Sequence, residues 1–242
     1  MTVEPVRQTT TQGRPDPTGR EDRQEATQSG PSLDGGGNPG SPGAVWDVRF
    51  AANEWPSHPD DTLVELVSGL APGRAVDLGC GPGRNSIWLA SQGWQVTGVD
   101  VSAVGLEQAA RRAHERGVTL ELLHVDLTAY TPLKGAFELV VLANMHFSPG
   151  EREELFARFA EAVAPGGHFY VVGHHLDSLG RAGPPDPARL YSEDLLKGLF
   201  EGFDVEVTRR ERPAGDGGTP LVDAVAWATR RSSENSPHGG GL

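Results

Sequence analysis

The chain has 242 residues and a formal net charge of −12, with 33 acidic side chains against 21 Lys and Arg. That length suffices for one large domain, or for one domain with tails, and a surface of that sign repels phosphate backbones and anionic membranes. A single cysteine, Cys80, excludes an intramolecular disulfide and a metal site built on clustered thiolates.

Residues 1–43 are rich in Gly, Pro, Ser, Thr and Gln, and the run Gly35-Gly36-Gly37-Asn38-Pro39-Gly40 has nothing to bury. This composition predicts a disordered tail, as does that of 232–242, with one folded domain over 44–231. Met1 to Thr11 carries no apolar run and no window approaches 18 consecutive apolar residues. Neither a secretory signal nor a membrane span is expected, and the expected location is the cytoplasm.

Within the domain the pattern alternates. Leu63, Leu66, Val67 and Leu70 have helical spacing over 59–70. The apolar run 74–78 ends in glycines and predicts a buried strand. A helix over 84–92 stops at Gly93, and 95–100 is a second strand. Ser102 suits the N-cap of a helix ending near Gly117. Strands are predicted at 120–124 and 137–143. Ser148-Pro149-Gly150-Glu151 has the pattern of a capping box with Pro at the first helical position, and that helix closes at Pro165-Gly166-Gly167. A fifth strand covers 168–172, Ser192 caps a short helix to Gly202, and the runs 204–212 and 221–229 suit an antiparallel closing pair. The expected fold class is α/β: a doubly wound, mostly parallel seven-stranded sheet with helices on both faces. Ligands of such sheets sit at the carboxyl ends of the strands, near the switch in strand order.

The stretch Ala75-Val76-Asp77-Leu78-Gly79-Cys80-Gly81-Pro82-Gly83-Arg84-Asn85 runs from a strand through three glycines into a helix, a turn that admits close approach of a ligand. A dinucleotide fingerprint would need Gly at position 84, where Arg84 stands. Asp77 would add negative charge beside a pyrophosphate, whereas a carboxylate there suits a cationic ligand.

These residues resemble the first motif of the class I S-adenosylmethionine-dependent methyltransferase superfamily, D/E-x-G-x-G-x-G, through Asp77, Gly79, Gly81 and Gly83. Asp100, in Val96-Thr97-Gly98-Val99-Asp100-Val101-Ser102, is similar to the acid that holds both ribose hydroxyls in that superfamily, where two carboxylate oxygens match a vicinal diol. Asp126, in His124-Val125-Asp126-Leu127, is similar to the acid that meets the adenine amino group, and 137–144 ends where the cofactor passes. The resemblance implies a Rossmann-like fold and S-adenosyl-L-methionine as cofactor. The implied lining is Asp77, Gly79, Cys80, Gly81, Gly83, Asn85, Asp100, Val101, Asp126, Leu127 and Ala143. Trp46-Asp47-Val48-Arg49-Phe50 resembles the W-D-x-R-Y element of tellurite-resistance and thiopurine-type methyltransferases, which makes Arg49 a candidate partner for the cofactor carboxylate.

His146, His174 and His175 follow the fourth and fifth strands and are candidate general bases near the acceptor mouth, because an imidazole titrates near working pH. No metal site is expected, since a metal-dependent transferase needs clustered carboxylates there. Trp46, Phe50 and Trp55, with the loop 176–191, are candidate covers that exclude water. The expected reaction is methyl transfer to a small-molecule acceptor, with neither nucleic acid nor membrane as partner. Two alternatives stay open: a non-catalytic module that binds the same cofactor, and another reaction on that cofactor.

Overall fold

The computed structural model describes residues 42–214 and 217–232, so most of the two tails expected from composition lies outside the described residues. Helix α1 spans Pro42–Ala52 and α2 Asp61–Val67. Strand β1 (Arg74–Leu78) leads through a glycine turn into α3 (Arg84–Ser91), then β2 (Gln95–Asp100), α4 (Ala103–Glu115) and β3 (Glu121–His124). The second half follows as β4 (Phe137–Ala143), α5 (Pro149–Ala162), β5 (Val163–His174), α6 (Glu193–Gly198), β6 (Phe203–Arg212) and β7 (Leu221–Arg230).

The seven strands form one sheet in the order β3-β2-β1-β4-β5-β7-β6. The first five are parallel, and β7 runs antiparallel to both β5 and β6, as the two closing runs predicted. The order reverses between β1 and β4, so their carboxyl ends open the crevice in which ligands of such sheets bind.

Strand alternation divides the core into two layers. One face of the sheet presents Val76, Leu142, Phe169 and Val171 to Phe156 and Phe159 of α5 and Leu196 of α6. The other presents Ala75, Val141, Tyr170 and Val172 to Leu63 of α2 and Leu89 of α3. Asp77 alternates onto this second face, beside α3. Among the described residues no helix is long and apolar enough to cross a membrane.

The structure departs from the sequence reading at three places. Helix α1 was not anticipated: its polar, Gly- and Pro-led sequence lacks a clear apolar stripe, and tertiary contacts described below hold it. Strand β5 begins at Val163, before Pro165-Gly166-Gly167, because Phe137 already pairs with Val163 across an irregular register; a methyl on Gly167 would lie 3.0 Å from the Glu138 carbonyl. At α5 the Ser148 hydroxyl donates to the Glu151 carboxylate (2.6 Å) instead of accepting a backbone N–H, so the box is closed side chain to side chain.

Asp60 joins three elements. It N-caps α2 by accepting from Thr62 N and Leu63 N, takes the Tyr170 hydroxyl of β5 at 2.7 Å, and lies 3.8 Å from the Arg84 guanidinium, while its own N–H donates to Asn85 of α3. Asp60→Ala should therefore lower the unfolding free energy by about 1–3 kcal/mol, the combined scale of a lost cap and a buried hydroxyl left without its acceptor. Urea unfolding measures this, and a loss under about 0.5 kcal/mol would contradict the role.

Candidate functional site

The glycine turn is pressed between neighbours. Gly79, Gly81 and Gly83 all have positive φ (78°, 50° and 83°), a region side chains avoid. A methyl at Gly79 would lie 2.5 Å from Met145 Sδ, and at Gly81 2.9 Å from the Phe50 ring. The N–H groups of Gly79 and Cys80 donate to the Val99 carbonyl, which ties the turn to β2.

Two acids flank this turn. Asp77 is 2% exposed and accepts from the Ser86 hydroxyl at 2.6 Å. Among the described residues it forms no ion pair, because Arg84 turns to Asp60. Burial pushes its carboxyl up to about 6, against the opposing pull of Ser86 and Arg84. Asp100 is also buried and is held by two backbone donors, Gly81 N on Oδ2 and Ser102 N on Oδ1, both at 2.8 Å. Burial outweighs those bonds and raises its carboxyl too. Each oxygen keeps a second lone pair, so the group is oriented but still able to accept.

The remaining expected lining residues have mixed placements. Asn85 is buried and its Oδ1 accepts from Asp60 N. Ala143 ends β4, and the Val101 carbonyl accepts from His124 Nε2. Asp126 is half-buried, and its Oδ1 is taken by Thr128 N and its hydroxyl in a local turn. Leu127 packs into the core. Cys80 is buried and burial pushes its thiol up, which makes it a packing residue.

Helix α1 docks beside this turn. The Asp47 carboxylate accepts from the Ser102 hydroxyl (2.5 Å) and Val104 N (3.1 Å), adding a second cap to α4, and Gln108 donates to the Phe50 carbonyl. Those bonds hold the Asp47 carboxyl below its ordinary value. Phe50 stacks on Trp46 (5.6 Å) and meets Trp55 edge-on (4.9 Å), with its ring against Gly81 and Gly105. The Arg49 guanidinium lies 4.9 Å above the Trp46 ring. Sequence reasoning had grouped the aromatics but assigned no role to Asp47.

Beyond β4 a second set of loops is locked together. Asn144 is the one non-glycine residue with positive φ (58°) among the described residues, and this bend turns the chain at the strand end. The Tyr191 hydroxyl donates to the Met145 carbonyl at 2.7 Å. Arg189 donates twice to the His146 carbonyl, and His146 Nδ1 donates back to the Arg189 carbonyl at 3.0 Å. The buried Arg152 of α5 donates to Ala188 from below.

Of the three candidate histidines, His146 and His174 come together, their rings stacked at 5.1 Å. His146 is buried beside His174, which pushes it down to about 4 and keeps it neutral. His174 donates from Nδ1 to Asp223 at 2.9 Å. His175 points elsewhere, with Glu193 of α6 on Nε2 and Asp177 N donating to Nδ1. Among the described residues no group of three or more His, Cys, Asp or Glu could hold a metal. A cavity of about 490 Å³ lined by Lys197, Phe200, Phe203 and Trp227 lies at the amino-end side of the parallel strands, remote from these residues.

Sheet order, glycine turn and paired acids define a Rossmann-like methyltransferase fold. Residues 75–167 match a family model described as a methyltransferase domain. Over that stretch the chain is similar to class I, S-adenosylmethionine-dependent methyltransferases. A trans-aconitate 2-methyltransferase from Paracidovorax citrulli is 36% identical over 114 residues, 46% of this chain and 42% of that protein. A ribosomal RNA small subunit methyltransferase C from Alcanivorax borkumensis is 32% identical over 108 residues, 43% of this chain and 33% of that protein. The matched stretch thus spans less than half the length of either relative. TehB from Haemophilus influenzae superposes with a TM-score of 0.61 at 18% identity, covering 77% of this chain and 67% of its own. A structure from work on conversion of a disulfide bond into a thioacetal group during echinomycin biosynthesis gives 0.64 at 21% identity, covering 80% and 93%. At these identities the likeness is one of fold.

Because the folded state raises the Asp77 carboxyl, it binds that proton more tightly than the unfolded chain. The stability this contributes is present at about pH 4 and lost as pH rises through about 6. Asp77→Asn, which keeps an acceptor for Ser86, should match the wild type near pH 4 and melt at higher temperature near pH 7–8. Thermal unfolding across pH checks this; an equal or lower melting temperature at neutral pH would contradict it.

Proposed function

We propose that the protein transfers a methyl group from S-adenosyl-L-methionine to a small-molecule acceptor. The observation that carries this reading is Asp77, a buried carboxylate without a cation partner among the described residues, set beside a glycine turn and the pre-oriented Asp100. A buried charge of this kind is costly unless a ligand completes it, and an ammonium group does so.

The donor set fits the cofactor. Asp77 suits the amino group, Asp100 the ribose diol, and Asp126 the adenine amino group through its second oxygen. The three glycines leave room for close approach, and Arg49 stands as partner for the carboxylate. When bound, S-adenosylmethionine supplies an electrophilic methyl group, and the chain's task is to position the acceptor and exclude water. The aromatic set on α1 and the locked loop 187–191 supply cover from two sides.

A small acceptor agrees with the net charge of −12, which disfavours nucleic acid, and with the trans-aconitate 2-methyltransferase and ubiquinone biosynthesis O-methyltransferases among the relatives. The ribosomal RNA relative matches a similar share of the chain, 43%. We place the protein in the cytoplasm, in keeping with its single buried cysteine.

Calorimetry should find binding of S-adenosylmethionine and none of NAD. Asp100→Ala should weaken that binding about tenfold or more, since it removes charge-assisted hydrogen bonds worth roughly 1.5–3 kcal/mol each. Tight NAD binding, or an unchanged affinity in a folded Asp100→Ala, would sink the assignment.

A further inference from the structure

We infer that His174, through Nε2, is the proton acceptor for a hydroxyl or thiol substrate, and that Asp223, a residue of the closing strand β7, is the positioning residue that holds the ring proton on Nδ1 and so leaves the lone pair on Nε2. The inference rests on the proposed methyl transfer and assigns within it which histidine acts and what kind of group it serves.

The pair is built into the sheet. Strands β5 and β7 are antiparallel, and their register sets His174 directly opposite Asp223. The His174 Nδ1–H donates to Asp223 Oδ1 at 2.9 Å, and Arg212 of β6 donates to Oδ2 at 2.8 Å. Burial works to raise the Asp223 carboxyl, but the His174 and Arg212 contacts outweigh it and hold the group ionised. With its proton on Nδ1, the imidazole carries its lone pair on Nε2, and among the described residues Nε2 has no hydrogen-bond partner. The residue ends β5, one strand from the Asn144 bend of β4, and packs against Gly183 and Leu190 of the covering loop.

The other two histidines are committed elsewhere. His146 donates from Nδ1 to Arg189 O and accepts His174 N–H on Nε2 at 3.4 Å, so neither nitrogen is free. His175 is taken at both nitrogens by Asp177 N and Glu193. The charged and titratable groups around His174 are therefore Asp223 and Arg212 from the closing strands, His146 with Arg189 behind it from the β4 side, Tyr191, whose N–H donates to the His174 carbonyl, and Tyr170 in the layer beside Asp223. Of these, Asp223 is the nearest anion, and neutral His146 stacked on the ring adds no opposing charge.

In the step, the acceptor O–H or S–H bond breaks as an N–H bond forms at Nε2. The acceptor's electron pair forms the new bond to the methyl carbon, and the pair of the broken S–C bond stays on the donor sulfur. The imidazolium is compensated by Asp223 and returns its proton to solvent. Acceptors with a ready lone pair and no proton to lose, such as halides, gain nothing from this pair.

The test uses the full chain labelled with ¹⁵N-histidine. Long-range ¹H–¹⁵N correlations should place the His174 proton on Nδ1. Asp223→Asn removes the charge but keeps an acceptor. A proton on Nε2 in the wild type would overturn the assignment whatever the acceptor. S-adenosylhomocysteine release with phenol, catechol and thiophenol supplies the kinetic arm. With whichever of these the wild type methylates, His174→Gln should lose about 100-fold or more in kcat. Asp223→Asn should shift the acidic limb of kcat/KM to lower pH, with recovery in Asp223→Glu. Full turnover in His174→Gln would contradict the inference. Calorimetry should show wild-type affinity for S-adenosylmethionine in both variants. A wild type that does not bind it would remove the methyl-transfer reading, while the tautomer result still decides the His174–Asp223 assignment.

Discussion

Asp77 sits near the carboxyl end of β1, held by the Ser86 hydroxyl, while the nearby Arg84 makes its ion pair with Asp60 instead. Ionised, that carboxylate is poorly solvated; protonated, it is merely a buried polar group. On the proposed reading, that electrostatic cost is relieved by the cationic part of a ligand docking on the glycine turn. Other features of the site follow from holding that turn still: three positive-φ glycines, two N–H groups on Val99, and Asp100 fixed by the same loop it helps to hold. Stability is given up at the place where binding needs a ready-made charge, a common arrangement at functional sites.

The segments on the two sides of the glycine turn are held by different means. Helix α1 is held by Asp47 on the start of α4 and by stacked aromatic rings, so its order depends on tertiary contacts. Beyond β4, the chain after that strand and the loop before α6 exchange hydrogen bonds in both directions, with Arg152 beneath them. That mutual locking fixes His146 and, through the stacked rings, the position of His174.

Much of this was legible in the sequence. The strands β1, β2 and β4 read directly, because buried parallel strands are short apolar runs bounded by glycine and polar residues. Asp77 and Asp100 read from their positions at strand ends before turns. What the sequence hid were relations set by register and packing. Helix α1 has no strong apolar periodicity, and the roles of Asp47 and Asp60 appear only when distant elements meet. The three histidines looked equivalent, yet consecutive residues point to opposite sides of a strand, which separates His174 from His175. Asp223 gave no signal of its own, since its partner is chosen by the β5–β7 register.

The central claim is that the buried Asp77 carboxylate completes itself with the cationic part of the ligand, and proton linkage tests it most directly. Near pH 6 the free protein holds this group partly protonated. Binding of S-adenosylmethionine should then expel a fraction of a proton, seen by calorimetry as a binding heat that varies with the ionisation heat of the buffer. The expelled fraction should shrink towards pH 8 and disappear in Asp77→Asn. Binding near pH 6 with a heat independent of the buffer, or proton release that persists in Asp77→Asn, would contradict the claim.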